Sequence, residues 1–175
     1  MRILLTTVAS LAMLLAASAQ ARAETKVELK NVHLCCPGCV KGVAEIIKGV
    51  EGAKAACDQK AKTVTITAAD DKTARKALDA LAAGGYHGDT GNKDLAMKDD
   101  SGASAGKVKS LTVTGVHNCC GQCCRAIKET VKKVSGVTGD TAKPKMDTFE
   151  VTGDFDALEL IKALNAAGFH AKVKN

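Results

Sequence analysis

Seven of the eight cysteines in this chain of 175 residues stand in two short stretches, Cys35-Cys36-Pro37-Gly38-Cys39 and Cys119-Cys120-Gly121-Gln122-Cys123-Cys124. Each stretch holds a Cys-x-x-Cys pair with one more cysteine directly before it. Thiolates are soft, polarizable ligands that suit copper(I), zinc, mercury and other soft ions, and two sulfurs three residues apart on a loop can be aimed at one ion. Where the second cysteine of such a pair opens a helix, exposed backbone N–H groups and the positive end of the helix dipole favour the thiolate. One such pair is common among sequences. The same pair at the same place in two copies of one unit is much more specific.

The elements that must position these loops are written twice. Val27, Leu29, Val32, His33, Cys35, Cys36 and Cys39 recur 84 residues later as Leu111, Val113, Val116, His117, Cys119, Cys120 and Cys123, and Gly52 recurs as Gly136. Val64 and Ile66 match Phe149 and Val151 at a spacing of 85, while Leu78, Leu81, Tyr86 and His87 match Ile161, Leu164, Phe169 and His170 at 83. In the first unit, Thr25 to Asn31 alternates polar and apolar residues, as a strand with one buried face does. After the cysteine loop, Pro37 suits a first helical turn, and Val40, Val43, Ile46, Ile47 and Val50 form an apolar stripe that Gly49 and Gly52 end. Ala53 to Asp58 and Thr63 to Thr67 read as a hairpin. Asp70 or Asp71 can cap a second helix, with Ala74, Ala77, Leu78 and Leu81 as its stripe and Gly84-Gly85 as its stop. Tyr86 to Thr90 closes the unit as a strand.

The second unit repeats the order: a strand from Val108 to Thr114, a helix carrying Ile127, Val131 and Val134, a hairpin around Pro144, a helix carrying Ala157, Leu160, Ile161 and Leu164, and a strand from Phe169 to Val173. The expected fold is therefore α+β, with two tandem ferredoxin-like βαββαβ domains, each a four-stranded antiparallel sheet with two helices on one face. The domains span residues 24–91 and 107–175. Between them, residues 92–106 lack periodicity, are rich in Gly, Ser and Asp, and read as a flexible linker.

Residues 1–23 have a composition of their own: Arg2, an apolar run from Ile3 to Ala17, and small residues ending in Ala21-Arg22-Ala23. This pattern predicts a secretory signal peptide cleaved near Ala23/Glu24, hence a secreted or periplasmic protein with no membrane span after cleavage. Export places the thiols in an oxidising compartment, where neighbouring cysteines become disulfides unless something holds them reduced or metallated. The formal charge of +6 is modest, acidic and basic residues are interspersed, and aromatics make up 2% of the chain, so neither a basic stripe nor stacking platforms for nucleic acid are present.

With these features in view, both units resemble, over their full length, the heavy-metal-associated domain of copper chaperones, copper-transporting ATPase arms and secreted mercury-binding proteins. That family sets a Met-x-Cys-x-x-Cys loop between the first strand and first helix, a Gly-Val pair at the second strand and a Gly-Tyr or Gly-Phe pair at the last. The matching residues are Leu34 to Cys39, Gly52-Ala53 and Gly85-Tyr86, then Asn118 to Cys123, Gly136-Val137 and Gly168-Phe169. The resemblance implies that Cys36 with Cys39, and Cys120 with Cys123, are metal ligands. It implies copper(I) as the metal, with mercury, zinc or cadmium also compatible, and a metal-transporting partner with thiol ligands.

Two departures from the family stand out. Leu34 and Asn118 replace the usual Met, and a buried Asn118 predicts a reshaped second loop. Cys35 and Cys119 add a third sulfur to each site, which either tightens binding, shifts it toward trigonal coordination or forms a protective disulfide. His87 and His170, after the Gly-aromatic pair, are further candidate ligands by the same resemblance, whereas His33 and His117 read as braces of the loop. Cys124 lies on the apolar stripe of its helix and reads as a small buried residue, and Cys57 has no assigned role. The expected function is capture, transfer or sequestration of a soft metal by a protein that is not an enzyme. The alternative is a periplasmic thiol-disulfide oxidoreductase using Cys-x-x-Cys, which would lack the Trp usual before such a pair.

Overall fold

The computed structural model describes residues 24–174, so the expected signal peptide lies outside the described residues. The element order is β1 (Thr25–Leu29), α1 (Pro37–Lys48), β2 (Ala53–Asp58), β3 (Thr63–Ala68), α2 (Asp71–Ala83), β4 (Lys107–Thr114), α3 (Gly121–Lys132), β5 (Val137–Asp140), β6 (Phe149–Asp156), α4 (Ala157–Ala166) and β7 (Lys172–Val173). The chain is thus α+β, with two antiparallel sheets in the orders β1-β3-β2 and β5-β6-β4-β7. No helix among the described residues is long and apolar enough to cross a membrane.

Alternation sets the sheet faces. Val27 and Leu29 on β1 pair with Ile66 and Val64 on β3, and all four are buried, while Glu28 between them faces water. On β4 and β6, Val113 pairs with Phe149 and Leu111 with Val151. The helices cover these apolar faces by a four-residue repeat: Cys39, Val43 and Ile47 are buried on α1, and Cys123, Ile127 and Val131 on α3. Caps fix where two of the other helices begin. Asp70 accepts a hydrogen bond from Thr73 N at 2.8 Å at the start of α2, and Asp156 one from Glu159 N at 3.0 Å at the start of α4.

The closing strands differ from expectation. In place of a strand from Tyr86 to Thr90, the first half has a single bridge in which Lys30 and Asp89 exchange backbone hydrogen bonds of 2.8 and 3.0 Å. The first sheet therefore has three strands, and in the second half only Lys172–Val173 of the expected Phe169 to Val173 pairs as β7. The cause is the same on both sides. His87 N donates to Gly168 O at 3.1 Å and His170 N donates to Gly85 O at 3.0 Å, so these donors are used between the halves rather than within a sheet.

Those bonds belong to a seam with near two-fold character. Gly168 O also accepts from His33 N, and Gly85 O from His117 N, each at 3.4 Å, while Tyr86 and Phe169 form a bridge at the centre. Gly85 (φ +81°) and Gly168 (φ +87°) adopt the left-handed conformation, and a Cβ on either would run into the backbone of the opposite half, at His117 N or His33 N. The buried side chains of both halves form one continuous core across this seam.

Residues 92–106, read as a linker, carry no helix or strand but are attached to the fold at several points. Leu95 is buried, the Arg75 guanidinium donates to Ala96 O and Asp94 O, and Ser101 O accepts from Val173 N at 2.8 Å.

Candidate metal centre

Each cysteine loop links a first strand to a helix, and the helix start sets the geometry of its sulfurs. Cys36 caps α1 and Cys120 caps α3, both with extended backbone and without a side-chain hydrogen bond at the cap, at the helix ends where first-turn N–H groups lack intrahelical partners. Pro37 at the first helical position fits the start of α1 and has no N–H to satisfy. Cys39 and Cys123 stand one turn further in and are fully buried, at 0% exposure, while Cys35, Cys36, Cys119 and Cys120 are half-buried around them.

The seam brings the two loops face to face. Six sulfurs that the sequence divides between two sites lie together in one cluster. Across the seam, Cys35 Sγ is 3.4 Å from Cys123 and 3.9 Å from Cys120, Cys36 is 3.8 Å from Cys120 and 3.9 Å from Cys119, and Cys39 is 3.7 Å from Cys123 and 3.8 Å from Cys119. Within the loops, Cys36 and Cys39 are 3.7 Å apart and Cys120 and Cys123 are 3.8 Å apart. The cluster can hold a soft metal ion, because neighbouring sulfurs at these separations can share one cation.

Its electrostatics are those of a thiol cluster with little solvent. The Cys39 thiol is held far below the ordinary thiol range, chiefly because Cys123 shares a proton with it, helped by His117 and the Cys36 backbone. Cys123 is driven far upward by the same shared proton and by burial. The backbone N–H of Cys123 and Gln122 stabilise the Cys120 thiolate and bring its pKa to about 7, as expected at a helix start. Burial raises Cys35, and raises Cys119 to about 12. Negative charge is therefore favoured on Cys39 and Cys120, while Cys35, Cys119 and Cys123 hold protons that a bound cation would displace.

Histidines enter the cluster by a route that the sequence reading did not choose. His117 shares a compact group of ligand atoms with Cys39, Cys119 and Cys123, and His33 shares one with Cys35 and Cys123. Each imidazole is stacked on the aromatic ring of the opposite half, His117 on Tyr86 and His33 on Phe169, with ring centroids 4.2 Å apart. The Tyr86 hydroxyl lies 3.1 Å from His117 Nε2 and donates to Cys39 O at 2.9 Å. Phe169 has no hydroxyl to offer, and the buried Nε2 of His33 has no hydrogen-bond partner among the described residues.

The structure does not bring His87 and His170 to the sulfurs. Instead their Nδ1 atoms face each other at 3.3 Å, and His170 Nε2 lies 2.7 Å from Asp100 Oδ1. Neither belongs to a metal-ligand group among the described residues. Burial and the facing His170 lower the His87 pKa to about 4. Asn118, a poor core residue by type, is nevertheless buried and donates through Nδ2 to Lys143 O and Met146 O at 2.8 and 2.9 Å, whereas Leu34 joins the core. Cys124 is buried on the stripe of α3. Cys57 sits half-buried on β2 opposite Val64, and burial raises its pKa.

No protein-family model matches the chain, and no curated protein matches it. Among solved structures it is similar to the solution structure of the N-terminal soluble domains of Bacillus subtilis CopA. The identity is 14% and the TM-score 0.34, over 87% of this chain and 95% of that one. So distant a likeness adds nothing to the topology and sulfur geometry described above.

Proposed function

We propose that this is an exported protein that captures a soft metal ion, copper(I) before mercury, zinc or cadmium, at a centre shared by its two cysteine loops. The observation that carries this reading is the set of six sulfurs, each within 3.9 Å of sulfurs from the opposite loop, gathered at two helix starts. The ligands are Cys35, Cys36, Cys39, Cys119, Cys120 and Cys123. An all-sulfur set favours soft ions, and closely spaced sulfur triangles suit an ion content with three ligands.

The burial pattern supports retention with controlled exchange. Cys39 and Cys123 hold the ion out of water, while the half-buried rim lets an incoming thiolate from a metal-transporting partner bind before an old bond breaks. On this reading the protein is a binding protein and not an enzyme, and metal occupancy protects the thiols from oxidation outside the cytoplasm. The test is anaerobic titration of the reduced protein with copper(I) and, separately, zinc(II), against a chromogenic chelator. Copper(I) should bind far more tightly than zinc(II). Cys36→Ser with Cys120→Ser should weaken copper(I) binding by more than the roughly 100-fold typical of losing an outer-shell group. No copper uptake, or uptake unchanged in the double variant, would contradict the proposal.

A further inference from the structure

The leading cysteine of each loop is close to the pair in the other loop. Cys119 Sγ lies 3.9 Å from Cys36 and 3.8 Å from Cys39, which are 3.7 Å apart. Cys35 Sγ lies 3.9 Å from Cys120 and 3.4 Å from Cys123, which are 3.8 Å apart. An ion at the centre of a sulfur triangle needs sides of √3 times its bond length, or about 4 Å for a metal–thiolate bond of about 2.3 Å. The first triangle is close to that size on all three sides, and the second on two, its Cys35–Cys123 side being shorter at 3.4 Å. They have no sulfur in common, they use all six, and the internal repeat exchanges one for the other.

A triangle within one loop is less well built. Cys35 does approach Cys39 at 3.7 Å, and Cys119 approaches Cys123 at 3.6 Å. However, Cys35 and Cys36 are consecutive, as are Cys119 and Cys120, and Cys36 and Cys120 have extended backbones (φ −153° and −152°). The Cys35 and Cys36 sulfurs still lie within 4.8 Å of each other, whereas every side of the two exchanged triangles is 3.9 Å or shorter.

We infer that the third ligand is exchanged between the loops: Cys119 completes a trigonal site with Cys36 and Cys39, and Cys35 completes one with Cys120 and Cys123. The chain then holds two soft monovalent ions, each bound by three thiolates whose displaced protons go to solvent, and both sites exist only while the seam is closed. This rests on the function proposed above and specifies its ligand sets.

The test starts from Cys120→Ser with Cys123→Ser, which leaves one Cys-x-x-Cys pair and both leading cysteines. One equivalent of copper(I) is added anaerobically, and the number of sulfur ligands is read by X-ray absorption, with circular dichroism confirming that each variant is folded. Three sulfurs are expected in this background, three again after adding Cys35→Ser, and two after adding Cys119→Ser. Loss caused by Cys35→Ser instead, or equal behaviour of the two, overturns the exchange. Native mass spectrometry of the unaltered chain supplies a second reading independent of any variant. Two copper ions per chain are expected. Any other number of bound copper ions overturns the two-site assignment while leaving soft-metal binding intact, and no uptake overturns both.

Discussion

Two side chains that differ by one oxygen make the halves of the centre unequal. Tyr86 and Phe169 occupy equivalent places, and each stacks on the histidine of the other half, yet only Tyr86 gives its histidine a partner and donates to Cys39 O. Removing that hydroxyl leaves a buried carbonyl and the ring nitrogen of a half-buried histidine one partner short, which costs about 1–3 kcal/mol. Tyr86→Phe should therefore lower unfolding free energy by about that amount in denaturant titration, and an unchanged midpoint would remove the hydroxyl from the account. The six clustered cysteines were legible in the sequence because residue type and spacing alone mark a thiol loop. The positions of the histidines were not legible: His33 and His117 lie beside the sulfurs, and His87 and His170 face each other. Local spacing carries no information about which imidazole will stack on an aromatic ring from a residue more than 30 positions away.

At the scale of elements, the seam depends on two glycine carbonyls, each accepting two N–H groups from the opposite half. Gly85 and Gly168 have positive φ, and a Cβ there meets opposing backbone that cannot step aside as a flexible side chain can. The left-handed conformation alone costs a residue with a side chain roughly 1–2 kcal/mol, and the collision adds to it. Gly85→Ala should destabilise the protein by more than that and speed hydrogen exchange at the His117 and His170 amides first. Uniform exchange across both halves, or no change, would argue against the seam as the weak point. The helices and central strands were readable from their 3.6- and 2-residue patterns, because those patterns reflect burial against a nearby face. The closing strands were not, since Tyr86 to Thr90 has a strand-like composition but uses the His87 donor on Gly168 of the other half.

For the whole molecule, the sequence establishes one cysteine loop built twice, and the fold turns the two copies toward each other. Nothing in either repeat signals that orientation, which arises from backbone pairing between residues 32 or more positions apart. The consequence is functional as well as architectural. On the proposed function, separate loops would bind metal as two independent sites, whereas a shared centre would make each loop depend on the other for its third sulfur and for shielding from water. It also means that metal binding and closure of the seam stabilise one another, because ions that bind only the closed form shift the equilibrium toward it.

The most direct test of this sharing is the copper(I) affinity of a chain in which Cys119, Cys120 and Cys123 are all replaced by Ser, measured by anaerobic chelator competition beside the unaltered protein. A shared centre predicts that the intact first loop binds copper(I) at least about 100-fold more weakly than the tightest site of the unaltered chain, a loss comparable to or greater than removal of supporting groups around a metal. A first loop that keeps the full affinity of that tightest site would contradict it.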